Sequence, residues 1–217
     1  MIPRVKICCI SSLDEARMAI DAGASALGLV GQMPSGPGVI SDELIFSISA
    51  AVPPPIGTFL LTSEISANGI INHWNRCHTN TIQLVDAVST ETYLSLRKSL
   101  PGVKLVQVIH VQHVKSVDEA IETAPYVDAI LLDSGNPNLE IKELGGTGRT
   151  HNWKLSRKIR ESISVPVFLA GGLKPENIRQ AIDEVKPFGI DLCSGVRTNG
   201  MLDAEKLNRF MDEVHRF

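Results

Sequence analysis

A chain of 217 residues with a net charge of −3 can bury one sizeable core, and it has no basic block that would mark a dedicated nucleic-acid surface. The hydrophobic fraction of 43% and the charged fraction of 21% belong to a globular protein. No stretch reaches bilayer-spanning length, and the start Met1-Ile2-Pro3-Arg4-Val5-Lys6 lacks the apolar core of a signal peptide, so no membrane partner and a cytoplasmic location are expected.

Short β-rich runs alternate with amphipathic segments along the chain. The runs fall at 5–10, 26–30, 56–61, 81–85, 103–111, 127–133, 165–170 and 189–194. Most are continuously apolar, as parallel strands covered on both faces are. The first run leads into Ser11-Ser12-Leu13-Asp14-Glu15, a helix start with a Ser cap and early acids, and not into a G-x-G-x-x-G turn. After the second comes Met33-Pro34-Ser35-Gly36-Pro37-Gly38-Val39, an uncharged loop at a position where loops usually carry function. Three helical stripes are read as core-facing: Val117, Ala120, Ile121 and Ala124; Ile178, Ala181, Ile182 and Val185; Leu207, Phe210, Met211 and Val214. The longest unpatterned stretch, 134–152, has the length of a functional or mobile loop. This alternation predicts an α/β fold, a single (β/α)8 TIM barrel over residues 1–217. The competing open doubly wound sheet needs fewer strands and normally a Gly-rich first turn.

In such a barrel the chemistry projects from the C-terminal ends of the strands. The first strand ends in Lys6-Ile7-Cys8-Cys9-Ile10, and strict alternation points one cysteine into the barrel and the other toward the helices. Both can be small buried apolar residues, or an inward one can serve as base or nucleophile. The four cysteines, with Cys77 and Cys193, show no C-x-x-C spacing, so free thiols and no metal site are expected. Asp133 follows four apolar residues. It reads either as the cap of the next turn or as a general acid at the mouth. Small residues end the last two strands, Gly171-Gly172 and Ser194-Gly195, where this fold commonly binds phosphate, and Pro175 opens the helix after the first of these turns. Gly145-Gly146-Thr147-Gly148 in the long loop is a candidate lid.

K-I-C near the N-terminus, L-L-D at 131–133, G-G-T-G at 145–148, L-A-G-G-L at 169–173 followed by P-E-N, and S-G-V at 194–196 occur in this order. Together they resemble the phosphoribosylanthranilate isomerase family of tryptophan biosynthesis, over essentially the whole chain. The resemblance implies a cofactor-free Amadori rearrangement of a small phosphorylated sugar amine by a monomer or homodimer. It implies that Cys8 is the general base and Asp133 the general acid, and that Gly171, Gly172, Ser194 and Gly195 hold the phosphate.

The chain also departs from the family pattern. The loop after the second strand usually reads S-P-R-x-V, and its Arg contacts the anthranilate carboxylate; here Pro37 stands at that position. The family's Q-L-H-G is Gln83-Leu84-Val85-Asp86, F-D-W is His151-Asn152-Trp153, the Glu after S-G-V is Arg197, and Cys9 replaces a Gly. Arg149 and Arg197 are the candidate substitutes for the missing carboxylate cation. Three readings follow: the family's own isomerase, a paralogue acting on a different phosphorylated sugar or sugar amine, and a phosphate-ligand binding protein without turnover. A pure binder has no need of Cys8 and Asp133.

Overall fold

Eight parallel strands close on themselves: β1 (Arg4–Ile7), β2 (Ala26–Val30), β3 (Gly57–Thr62), β4 (Thr81–Leu84), β5 (Lys104–His110), β6 (Ala129–Asp133), β7 (Val167–Leu169) and β8 (Gly189–Leu192). Closure is set where β1 pairs with β2 through Lys6 opposite Ala26 and with β8 through Lys6 opposite Asp191. The computed structural model describes residues 2–146 and 148–216. Helices follow the strands in turn: α1 (Leu13–Asp21), α2 (Asp42–Ala51), α3 (Ala67–Cys77), α4 (Thr90–Ser99), α5 (Lys115–Thr123), α6 (Trp153–Ser162), α7 (Ile178–Val185) and α8 (Ala204–His215). A short antiparallel hairpin of β9 (Arg197–Thr198) and β10 (Met201–Leu202) precedes α8. The chain is thus the (β/α)8 barrel that the alternation of runs predicts, and no described helix is long and apolar enough to cross a membrane.

Strand alternation sorts the apolar residues into two cores. Leu27, Leu29, Leu60, Ile130, Leu132 and Ile190 face the helices. Ala26, Val30, Phe59, Leu61, Leu131 and Phe168 fill the barrel interior. Both faces are buried, which is why these strands read as apolar runs. The first four helices, α1 to α4, start where serines cap them. Ser12, Ser41, Ser66 and Ser89 each accept the backbone N–H three residues on, at 3.1, 3.3, 3.1 and 3.3 Å. Each such cap contributes about 1 kcal/mol. Asp42 at the start of α2 holds His73 Nε2 at 3.1 Å and Arg76 Nε at 2.5 Å, tying α2 to α3, and His73 Nδ1 meets Thr62 Oγ1 at 2.9 Å.

The stripes on α7 and α8 are buried at all four positions. On α5, Val117, Ala120 and Ala124 are buried but Ile121 is exposed; the helix ends at Thr123, and Ala124 already belongs to a 3-10 turn. Pro175 does not open α7, which begins at Ile178. Instead Asn177 folds the preceding turn, accepting from the Lys174 N–H at 2.8 Å and donating to the Gly172 carbonyl at 3.0 Å. The expectation that Cys8 and Cys9 face opposite sides is also corrected. β1 stops at Ile7, Cys9 adopts a φ of 62°, and both cysteines turn into the inner core. A left-handed residue ends the strand and breaks its alternation.

Candidate active site

At the C-terminal end of the barrel, Ala129, Leu131 and Asp133 share the inner face of β6, so the carboxylate rises from an apolar wall. Lys6 and Cys8 stand two residues apart on the inner side of the β1 end. Gly28 of β2 makes room for both: a Cβ there would lie 2.7 Å from Cys8 Sγ and 3.0 Å from Lys6 Nζ. Lys6 is fully buried, with Nζ 2.8 Å from Asp191 Oδ1 and 5.2 Å from the centre of the Phe59 ring. Burial works against its charge, but the Asp191 carboxylate outweighs burial and raises Lys6 above an ordinary lysine. Burial also lifts the Asp133 carboxyl above the usual carboxylate range. Asp191 adds to the rise, and the Ser134 N–H, 2.7 Å from Oδ1, and His110 oppose it. A carboxyl raised in this way is suited to donate a proton.

Cys8, Asp133 and Asp191 line one pocket together with Gly171, Gly172, Ser194 and Gly195. Gly171 and Gly172 have φ of 82° and 60°, left-handed values that favour glycine. The turns after β7 and β8 pack tightly on each other, since a Cβ on Gly195 would stand 2.2 Å from the Leu173 carbonyl. A Cβ on Gly172 would stand 2.6 Å from the Arg149 carbonyl carbon, so that turn is also seated on the backbone of the long loop.

The long loop crosses the pocket. A Cβ on Gly145 would stand 2.8 Å from Asp133 Oδ2, and one on Gly146 would stand 2.7 Å from Pro37 Cδ. Ser35 Oγ donates to the Lys142 carbonyl, and Lys142 pairs with Asp86. The uncharged 33–39 segment is therefore a seat for the long loop, and it lines the pocket through Met33, Ser35, Gly36 and Pro37. Gly145, Gly146 and Gly148 line the pocket as well; Thr147 of the candidate lid lies outside the described residues.

Neither candidate arginine is among the pocket-lining residues. Arg149 is exposed and pairs with Glu143. Arg197 turns away to a buried clamp. Its terminal nitrogens lie 3.0 Å from each Glu15 oxygen and 2.8 Å from the Gly200 carbonyl, and one also donates to the Cys9 carbonyl. Glu15 accepts the Leu202 N–H at 2.8 Å as well, so the clamp fastens the hairpin before α8 to the start of α1. An arginine engaged in this way serves the fold, and its assignment to a substrate carboxylate gives way. The described residues that line the pocket include no arginine or lysine.

Three further titratable residues, Lys6, Asp191 and His110, stand at or beside the pocket with no motif to mark them. Lys6 and Asp191 could have been found by stepping two residues back from Cys8 and from Cys193 along alternating strands. His110 pairs across the ladder with Asp133, and its Nε2 donates to the Val85 carbonyl at 3.2 Å. Val85 is the position where the resemblance has a histidine; the ring now approaches from β5. His110 Nδ1 is buried and has no hydrogen-bond partner among the described residues.

The model of the family "N-(5'phosphoribosyl)anthranilate (PRA) isomerase" matches residues 5–213. The N-(5'-phosphoribosyl)anthranilate isomerase 2 of Methanosarcina mazei is 35% identical over 215 residues, covering 98% of this chain and 93% of that protein. The crystal structure of phosphoribosyl anthranilate isomerase from Thermotoga maritima superposes with a TM-score of 0.84 at 29% identity, covering 99% of this chain and 100% of that one. A phosphoribosyl anthranilate isomerase in complex with reduced 1-(o-carboxyphenylamino)-1-deoxyribulose 5-phosphate superposes with a TM-score of 0.81 at 27% identity, over 99% of this chain and 100% of that one. A match that runs through every strand of the barrel, and through both strand ends that carry Cys8 and Asp133, places this chain in the N-(5'-phosphoribosyl)anthranilate isomerase family.

Proposed function

We propose that the protein catalyses the Amadori isomerisation of a phosphoribosylated aryl amine, with phosphoribosylanthranilate as the substrate of the first reading. The observation that carries it is the meeting of Cys8 and Asp133, from strands on different sides of the barrel, in one pocket with the two turns after β7 and β8. The phosphate sits against Gly171-Gly172 and Ser194-Gly195 and holds the sugar in register. The protonated Asp133 gives its proton to the ribose ring oxygen; the C1′–O bond breaks and the ring opens to an iminium. Cys8 then acts as the base and removes the C2′ proton that the iminium has made acidic. The electron pair neutralises the iminium nitrogen, and the resulting enolamine tautomerises to the ketose amine. Gly145 stands close against Asp133 Oδ2 in the pocket wall. A direct turnover assay on phosphoribosylanthranilate, run beside rescue of a tryptophan auxotroph lacking this isomerase, tests the reading. Absence of both would end it.

A second reading rests on Pro37 and on a described lining without arginine or lysine. A carboxylate taken from water needs a cation or several good donors. On this reading the natural amine has no carboxylate at that position, and a neutral aryl amine phosphoriboside turns over with the higher kcat/KM. The ratio of kcat/KM for phosphoribosylanthranilate and phosphoribosylaniline separates the two readings.

A further inference from the structure

The ends of β1 and β8 carry two thiols that the isomerisation does not use. Cys9 and Cys193 lie 184 positions apart in sequence, yet their Sγ atoms are in contact at 2.6 Å, about 0.5 Å beyond the length of a disulfide bond. The left-handed backbone of Cys9 directs its sulfur there. Gly38 closes in on its other side, where a Cβ would stand 2.4 Å from Cys9 Cβ. Arg197 holds the Cys8 and Cys9 carbonyls and so fixes the segment. Of the two sulfurs, Cys193 is half-buried and both line the pocket, whereas Cys77 is fully buried elsewhere. The contact with Cys9 lowers the Cys193 thiol from its ordinary value; burial opposes this and the Arg197 charge assists. The same contact raises Cys9. Within the pair Cys193 is the more exposed sulfur and the one whose thiol is lowered, the arrangement of an attacking and a resolving thiol.

We propose that Cys9 and Cys193 are a redox modification site, a dithiol that a hydroperoxide entering the mouth converts to a disulfide joining the end of β1 to the end of β8. The Cys193 thiolate attacks the peroxide oxygen and the O–O bond breaks. This leaves a sulfenic acid on Cys193 and, with one proton taken up, a molecule of water. The Cys9 sulfur then attacks the Cys193 sulfur, the S–S bond forms, and the sulfenic oxygen leaves as a second water carrying the Cys9 proton. Two thiols are oxidised, one hydrogen peroxide is reduced to two waters, and a small-molecule dithiol reverses the change. Cys8 also meets the Cys9 side chain; Cys193 is the partner assigned to the link because its sulfur lies 2.6 Å from that of Cys9. The inference depends on thiol geometry and not on the isomerase reading.

The test is mass spectrometry of the intact protein after a few-fold excess of hydrogen peroxide, followed by peptide mapping with fragmentation. The expected result is the loss of two hydrogen masses, a link assigned to Cys9 and Cys193, reversal by dithiothreitol, and a melting temperature about 5 °C above that of the reduced protein. Cys193→Ser should abolish the mass loss. Three results would overturn the proposal: addition of oxygen atoms without loss of hydrogen, a link assigned to Cys8, or a mass loss that persists in Cys193→Ser. The mapping on the unmodified sequence decides the matter even where that variant fails to fold.

Discussion

Replacing Asp191 with Asn leaves the fully buried Lys6 without its counter-charge, and the size of the effect follows from the geometry. At the observed separation of 2.8 Å the gross attraction is about 6 kcal/mol for an effective dielectric of about 20, and desolvation cancels much of it. Removing one partner of such a pair typically costs about 3–5 kcal/mol. A ceiling exists because Lys6 can discharge: relative to a free lysine this costs about 4.6 kcal/mol at pH 7 and about 2 kcal/mol at pH 9. In the wild type Lys6 is raised, so its contribution is complete below the unfolded lysine value and constant between pH 7 and 9. In Asp191→Asn a discharged Lys6 binds fewer protons folded than unfolded, so stability rises with pH. Urea unfolding followed by Trp74 and Trp153 fluorescence, in reductant, should show a loss of about 3–5 kcal/mol at pH 7 that shrinks to at most about 2 kcal/mol at pH 9. A loss under about 1 kcal/mol at pH 7, or one that does not shrink, would refute the buried pair.

Asp133→Asn should reduce turnover by at least about a hundredfold without lowering stability at neutral pH, because it removes a carboxyl whose raised value makes its ionisation unfavourable. In the wild type kcat/KM should fall as pH rises through that raised value, and the fall should be absent in the variant's residual activity. Ser194→Asp, at an exposed position of the pocket rim, should abolish the thermal stabilisation given by inorganic phosphate while leaving the unliganded melting temperature within a few degrees; equal stabilisation of variant and wild type places the anion elsewhere. Pro37→Arg should raise kcat/KM on phosphoribosylanthranilate by about tenfold or more, the worth of one charge-assisted contact, and leave phosphoribosylaniline unchanged. A gain on both amines would attribute the change to the seat of the long loop and not to charge.

The strands were legible because burial on both faces writes itself as apolar runs, and the fold geometry brings Cys8, Asp133 and the two glycine turns from their strand ends to one pocket. What failed to show were features set by distant partners. Arg197 reads as a solvated arginine until Glu15, 182 positions away, is seen to take its guanidinium. Cys9 breaks the alternation because its backbone is left-handed, a state that residue type does not announce. Lys6 looks like a surface residue at the start of a strand; only barrel closure brings Asp191 to it. The Gly172 turn reads as open space for an anion, yet one side is filled by the Arg149 backbone.

The central claim, that Cys8 is the base of an isomerisation in this pocket, is tested most directly by single-turnover kinetics of Cys8→Ala on the amine phosphoriboside that the wild type converts best, with phosphate binding measured in parallel. The expected result is a rate lower by at least about a hundredfold with phosphate affinity unchanged. A rate within a few-fold of the wild type would contradict the account.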